Sequence, residues 1–101
     1  MSKTMIVQYR THPETAEQNQ RLVENVMAEL SAGNPGGVRY AAFRLGDGVS
    51  FIHVVTLDGD ANPLADSPAF AEFQQGAESR LDGPPEPKPA QLIGSYRFLT
   101  S

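Results

Sequence analysis

The chain has few side chains able to do chemistry: two histidines, three tyrosines and no cysteine. Without cysteine there is no thiolate catalysis, no disulfide and no Cys-based metal site. His12 and His53 lie far apart and lack ligand spacing, so no metal is expected. His12 stands beside Pro13 at a helix start and reads as solvated. GNPGG (33–37) lacks the spacing and the strand–helix context of a phosphate loop. Neither a Ser-His-Asp arrangement nor a carboxylate pair is visible. That leaves His53, inside the apolar run SFIHVVTL (50–57). Burial there favours the neutral imidazole, and a neutral imidazole can act as general base toward a phenolic or quinol proton. The competing reading is a core histidine bonded to a tyrosine hydroxyl or a backbone carbonyl, since perturbed buried groups are often structural. Tyr9 and Tyr96 are candidates to orient a substrate oxygen, or simply strand tyrosines that pack their rings.

The elements that must position these groups follow from patterning. TMIVQYR (4–10) reads as a first strand. Leu22, Val23, Val26, Met27 and Leu30 form one helical stripe, with Thr11 and Glu14 or Thr15 and Gln18 as capping boxes and Gly33 before Pro35 as the stop. VRYAAFRL and VSFIHVVTL read as strands joined at Gly46-Asp47-Gly48. DSPAFAEFQQGAESRL reads as one helix, with Ser67 as N-cap, Pro68 at its first position and Phe70, Phe73, Ala77 and Leu81 as its stripe. DGPPEPKPA, with four prolines, reads as an extended connector, and QLIGSYRFL as the last strand. The order β-α-β-β-α-β with right-handed crossovers predicts an α+β fold, a ferredoxin-like plait with an antiparallel sheet ordered 4-1-3-2 and both helices on one face.

Strand alternation sorts the side chains. A three-residue turn at 46–48 pairs Leu45 with Val49 and sets Ala41 opposite His53. The helix side then carries Met5, Val7, Tyr9, Ala41, Phe43, Phe51, His53, Val55 and Leu57, together with Leu92, Tyr96 and Phe98. A small, largely apolar ligand beneath the helices would meet Tyr9, Tyr96, Phe43 and Phe51 from the sheet. Leu57, Phe70 and Phe73 would complete its pocket. The opposite face holds Ile6, Tyr40, Ile52, Val54 and Ile93, with Arg10, Arg44 and Arg97 at a polar rim. Such a patch is too apolar to leave in water and predicts a homodimer whose two sheets enclose a shared barrel.

Length and charge bound the rest. A chain of 101 residues is one domain, 1–101. Its net charge of −4 and pI near 5.0 argue against nucleic-acid or anionic-membrane partners. MSKTMIVQYR reads as neither a signal peptide nor a membrane span, and a cytoplasmic protein is expected.

With LADSPAFAEF as its most specific stretch, nearly the whole chain resembles the dimeric α/β-barrel proteins, more narrowly the antibiotic-biosynthesis-monooxygenase type. The resemblance implies a homodimer with a pocket between helices and sheet in each subunit. It also implies oxygenation of aromatic or quinol substrates without a cofactor, or else a binding or structural protein of the same fold. Haem-degrading relatives use an Asn on the first strand, a Trp ending the third and a helix His. The matching places here are Tyr9, Leu57 and no histidine, against haem degradation. Monooxygenase relatives often carry a His shortly before the Ser-Pro, where this chain reads Leu64-Ala65-Asp66.

Overall fold

β-Branched and aromatic runs form the central strands of a four-stranded antiparallel sheet. The computed structural model describes residues 2–60 and 62–98. Strand β1 (Ser2–Arg10) leads through a 3-10 turn (Pro13–Thr15) into helix α1 (Ala16–Gly33). Strands β2 (Val38–Arg44) and β3 (Ser50–Asp58) form a hairpin. A second 3-10 turn (Pro63–Asp66) precedes the short helices α2 (Pro68–Gln74) and α3 (Ala77–Arg80), and β4 (Glu86–Ala90) closes the sheet. The strand order β2-β3-β1-β4 is the expected 4-1-3-2 plait read from the other edge.

Helix α1 turns Ala16, Asn19, Val23 and Val26 inward. It ends at Asn34, whose left-handed backbone lets its N–H reach the Leu30 carbonyl at 2.7 Å. Neither expected capping box forms. The Thr15 hydroxyl instead donates to the Arg80 carbonyl at 2.8 Å, tying the start of α1 to the end of α3. Ser67 caps α2 as expected, accepting from the Phe70 N–H at 3.0 Å, and Pro68 opens the helix. Glu29 of α1 holds this cap, accepting from the Ser67 hydroxyl and from the Ala69 N–H. The single helix expected over 66–81 breaks at Gln75-Gly76, where Gly76 takes φ 74°. The break sends Arg80 and Leu81 down into the core, where Leu81 joins Tyr9 and Phe51.

Two further expectations are corrected. The last strand is not QLIGSYRFL but the proline-rich Glu86–Ala90, which pairs with β1 from Gln8↔Glu86 to Thr4↔Ala90. Pro87 and Pro89 fall on alternate positions. As the edge strand β4 has one neighbour, only every second residue must donate to the ladder, and Glu86, Lys88 and Ala90 do so in register while the prolines face outward. The same prolines deny the outer edge to further strands. Residues 91–98 have no regular structure, and Leu99 lies outside the described residues.

The second correction is a slip of one residue in the β2–β3 hairpin. Its last full pair is Arg44↔Phe51, so His53 faces Ala42 rather than Ala41. The Asp47 carboxylate accepts from the Val49 and Ser50 N–H groups at 2.9 and 2.8 Å and from the Ser50 hydroxyl, which draws Val49 into the loop. These bonds also hold the Asp47 carboxyl down near 2. A one-residue slip exchanges the faces of a whole strand. Tyr40, Ala42 and Arg44 therefore point to the helices, and Phe43 with Ala41 to the outer face. Arg44 accordingly reaches α1, pairing with Glu17 at 2.8 Å instead of joining an outer rim.

Candidate functional site

A cavity of ≈ 380 Å³ lies between the sheet and helices α2 and α3, within the range of small-molecule sites. Met5, Val7 and Val55 form its apolar floor, and Phe70, Phe73 and Leu64 its cover. Tyr9, Tyr40, His53, Gln74 and Arg80 supply the polar part of its wall. His53 is only 4% exposed. Its Nε2 lies 2.8 Å from the Tyr9 hydroxyl and its Nδ1 lies 2.5 Å from the Tyr40 hydroxyl. Both ring nitrogens are thus engaged by tyrosines, and His53 reaches the cavity's contents through them.

The chain of bonds continues behind Tyr9. Asn19 of α1, fully buried, donates from Nδ2 to the Tyr9 oxygen at 2.8 Å. Arg80 donates from Nε to Asn19 Oδ1 at 2.9 Å. One N–H on each terminal nitrogen of Arg80 goes to the Gln75 and Phe73 carbonyls at the end of α2, and its guanidinium stacks on Phe73 at 5.2 Å. Arg80 is 3% exposed and has no carboxylate within ion-pair distance among the described residues. Burial pushes the Tyr9 phenol up to about 12, against the smaller opposing pulls of the Asn19 bond and the Arg80 charge. Burial also raises Tyr40, with the Tyr9 charge adding to the rise. Both tyrosines stay protonated near neutral pH.

The structure brings His53, Tyr9, Phe70 and Phe73 to one cavity. Phe51 lies behind Tyr9, stacked on its ring at 5.5 Å, as part of the core rather than the cavity wall. Leu57 is half-buried farther along β3 and does not border the cavity. Phe43 points to the outer face because of the hairpin slip, and Tyr96 is exposed beyond β4. Tyr40, Asn19 and Arg80 were not anticipated. Tyr40 was hidden by the assumed register. Asn19 had a legible signal: it continues the Val23–Val26 stripe one turn earlier, and a polar residue on a buried stripe must find partners.

Burial pushes the His53 imidazole down to about 4 from an ordinary value of 6.5. The folded chain therefore keeps His53 neutral across a window in which the unfolded chain binds a proton. Stability falls as pH drops from 6.5 toward 4, with a slope from this residue of up to about 1.4 kcal/mol per pH unit, and is unaffected by it above that window. In urea titrations at pH 7, 6 and 5, wild type is expected to lose more stability than His53→Gln. Equal losses would contradict the assignment.

No protein-family model matches the chain, and no curated protein matches it by sequence. Its fold, however, is shared by solved structures. A provisionally named antibiotic biosynthesis monooxygenase of Nitrosomonas europaea superimposes with TM-score 0.74 at 13% identity, covering 99% of this chain and 94% of that one. PA3566 of Pseudomonas aeruginosa gives 0.74 at 20% identity, covering 92% and 95%. SnoaB of Streptomyces nogalater, a cofactor-independent oxygenase, gives 0.66 at 21% identity, covering 93% and 95%. At such identities the likeness speaks for the fold: this chain has the ferredoxin-like subunit fold of the antibiotic-biosynthesis-monooxygenase type.

Proposed function

We propose that the chain binds a small aromatic molecule in the cavity beneath α2 and α3 and oxygenates it without a cofactor, acting on aromatic or quinol-type substrates. The observation that carries this reading is a neutral imidazole joined to two tyrosines in the wall of a largely apolar cavity. Phe70 and Phe73, with ring centroids 6.1 Å apart, offer faces for a planar ligand. The activity of SnoaB, a cofactor-independent oxygenase, is compatible with it. Cofactor-free oxygenation needs the substrate as its anion, because the anion can hand an electron to dioxygen. A hydrogen bond from the site to the anionic oxygen lowers the cost of forming it. His53 takes part through Tyr40, not by touching the substrate.

Anthrone is a suitable probe. Its CH₂ carbon becomes a carbonyl with one oxygen atom of O₂, and the other leaves as water with the two hydrogens of that carbon. The protein is expected to consume one O₂ per anthrone and form anthraquinone, with kcat about 100-fold lower in Tyr40→Phe. Oxygen uptake no faster than buffer, by folded wild type, would overturn the enzymatic reading. The alternative, a non-catalytic binding protein, is favoured by the full hydrogen-bond engagement of both His53 nitrogens. It predicts anthrone binding without turnover.

A homodimer through the outer sheet face belongs to the same proposal. Ile6 pairs directly with Val54 there, Ile52 lies beside Phe43, and Ile93 is 96% exposed. Tyr40, assigned to that patch by sequence, faces the helices instead. Val54→Arg would bury an unpaired charge at such an interface. It is expected to sediment as a monomer or lose solubility while wild type sediments as a dimer. Wild type running as a monomer at micromolar concentration would rule the interface out.

A further inference from the structure

The hydrogen bonds across the site have a direction, and Arg80 sets it. A guanidinium only donates. The atom of Asn19 that meets Arg80 Nε at 2.9 Å must therefore be the amide oxygen, which leaves the Asn19 NH₂ to donate to the Tyr9 oxygen at 2.8 Å. Tyr9 has one hydroxyl hydrogen and one remaining partner, His53 Nε2 at 2.8 Å, so that hydrogen points at Nε2. Nε2 is then the acceptor nitrogen. A neutral imidazole carries its hydrogen on the other nitrogen, so Nδ1–H donates to the Tyr40 oxygen at 2.5 Å. The Tyr40 hydrogen is left without an acceptor among the described residues, and Tyr40 lines the cavity.

We infer that Tyr40 offers its O–H to the bound molecule, so that the cavity selects a ligand with a hydrogen-bond-accepting oxygen, a carbonyl or a phenolate, with Arg80 and Asn19 as the positioning residues that fix this polarity. The inference rests on the cavity being a ligand site, as proposed above, and gives that ligand its chemical class. In this polarity neither nitrogen of His53 has a free lone pair. The site holds an oxygen anion rather than stripping a proton from a neutral phenol. Two further features agree. Arg80 is a buried cation without an anionic partner among the described residues, close enough to line the same cavity. Tyr9 is held as the phenol and His53 as the neutral ring, the forms that the directed chain requires.

Two measurements test it, and neither needs turnover. The first is the ¹⁵N NMR spectrum of the His53 ring in the His12→Gln background, which leaves one imidazole to observe. Wild type is expected to show the Nδ1–H tautomer. Asn19→Asp replaces the NH₂ donor by an acceptor, so the Tyr9 hydrogen turns to residue 19 and His53 is expected to switch to Nε2–H. An Nε2–H tautomer in wild type would overturn the polarity, even if Asn19→Asp failed to fold. The second is spectrophotometric titration of bound p-nitrophenol. A donor at Tyr40 should lower the pKa of the bound probe by about one unit relative to Tyr40→Phe, a tenfold preference for phenolate. The comparison cancels the effect of the Arg80 charge. An equal or higher pKa in wild type, or no binding at any pH, would overturn the ligand-facing role of Tyr40. If oxygen uptake is absent but the tautomer and probe shift are as expected, the oxygenase reading fails and this one stands.

Discussion

Five polar side chains run in a line through the dry layer between sheet and helices, each hydrogen-bonded to the next. Arg80, Asn19, Tyr9, His53 and Tyr40 come from α3, α1, β1, β3 and β2, so one line ties together most of the fold. A buried polar group without a partner costs about 1–3 kcal/mol, so the elements are held in the one arrangement that links all five. The break at Gly76 has its purpose here. A continuous helix would carry Arg80 along its surface, whereas the bend delivers it to Asn19 and to the open carbonyls of α2.

The same line separates two surfaces of different character. On the helix side, aromatic side chains and the tyrosine–histidine pair surround a space of ligand size. On the outer side, Ile6, Ile52 and Val54 form an apolar sheet face over which residues 91–98 pass, with Phe98 stacked on Phe43 at 6.3 Å. Tyr40 and Phe43 show how closely the two are coupled. Their side chains leave one strand in opposite directions, and the Asp47 loop decides which of them enters the site.

Strong patterning made the element order, the sheet order, the Ser67 cap and the inward face of β3 readable from residues alone. What escaped were places where local chemistry competes with patterning. Val49 is β-branched and reads as strand, yet the Asp47 carboxylate claims its N–H for the loop, and the register moves by one. Proline at every second position reads as a connector, yet an edge strand with a single neighbour can accommodate it. At the site, His53 and Tyr9 were legible as a buried imidazole and a tyrosine on neighbouring strands. Tyr40 was not, because its face depended on that register. Arg80 was not, because a charged residue in a helical segment ordinarily points to water.

The central claim is that this cavity takes a planar ligand whose oxygen meets Tyr40. A crystal structure with anthraquinone, an unreactive bearer of the acceptor oxygen, addresses it most directly. The account predicts the rings against Phe70 and Phe73, with one carbonyl oxygen within hydrogen-bond distance, about 2.7 Å, of the Tyr40 hydroxyl. Rings seated on the outer sheet face, or a carbonyl turned away from Tyr40 within the cavity, would contradict it.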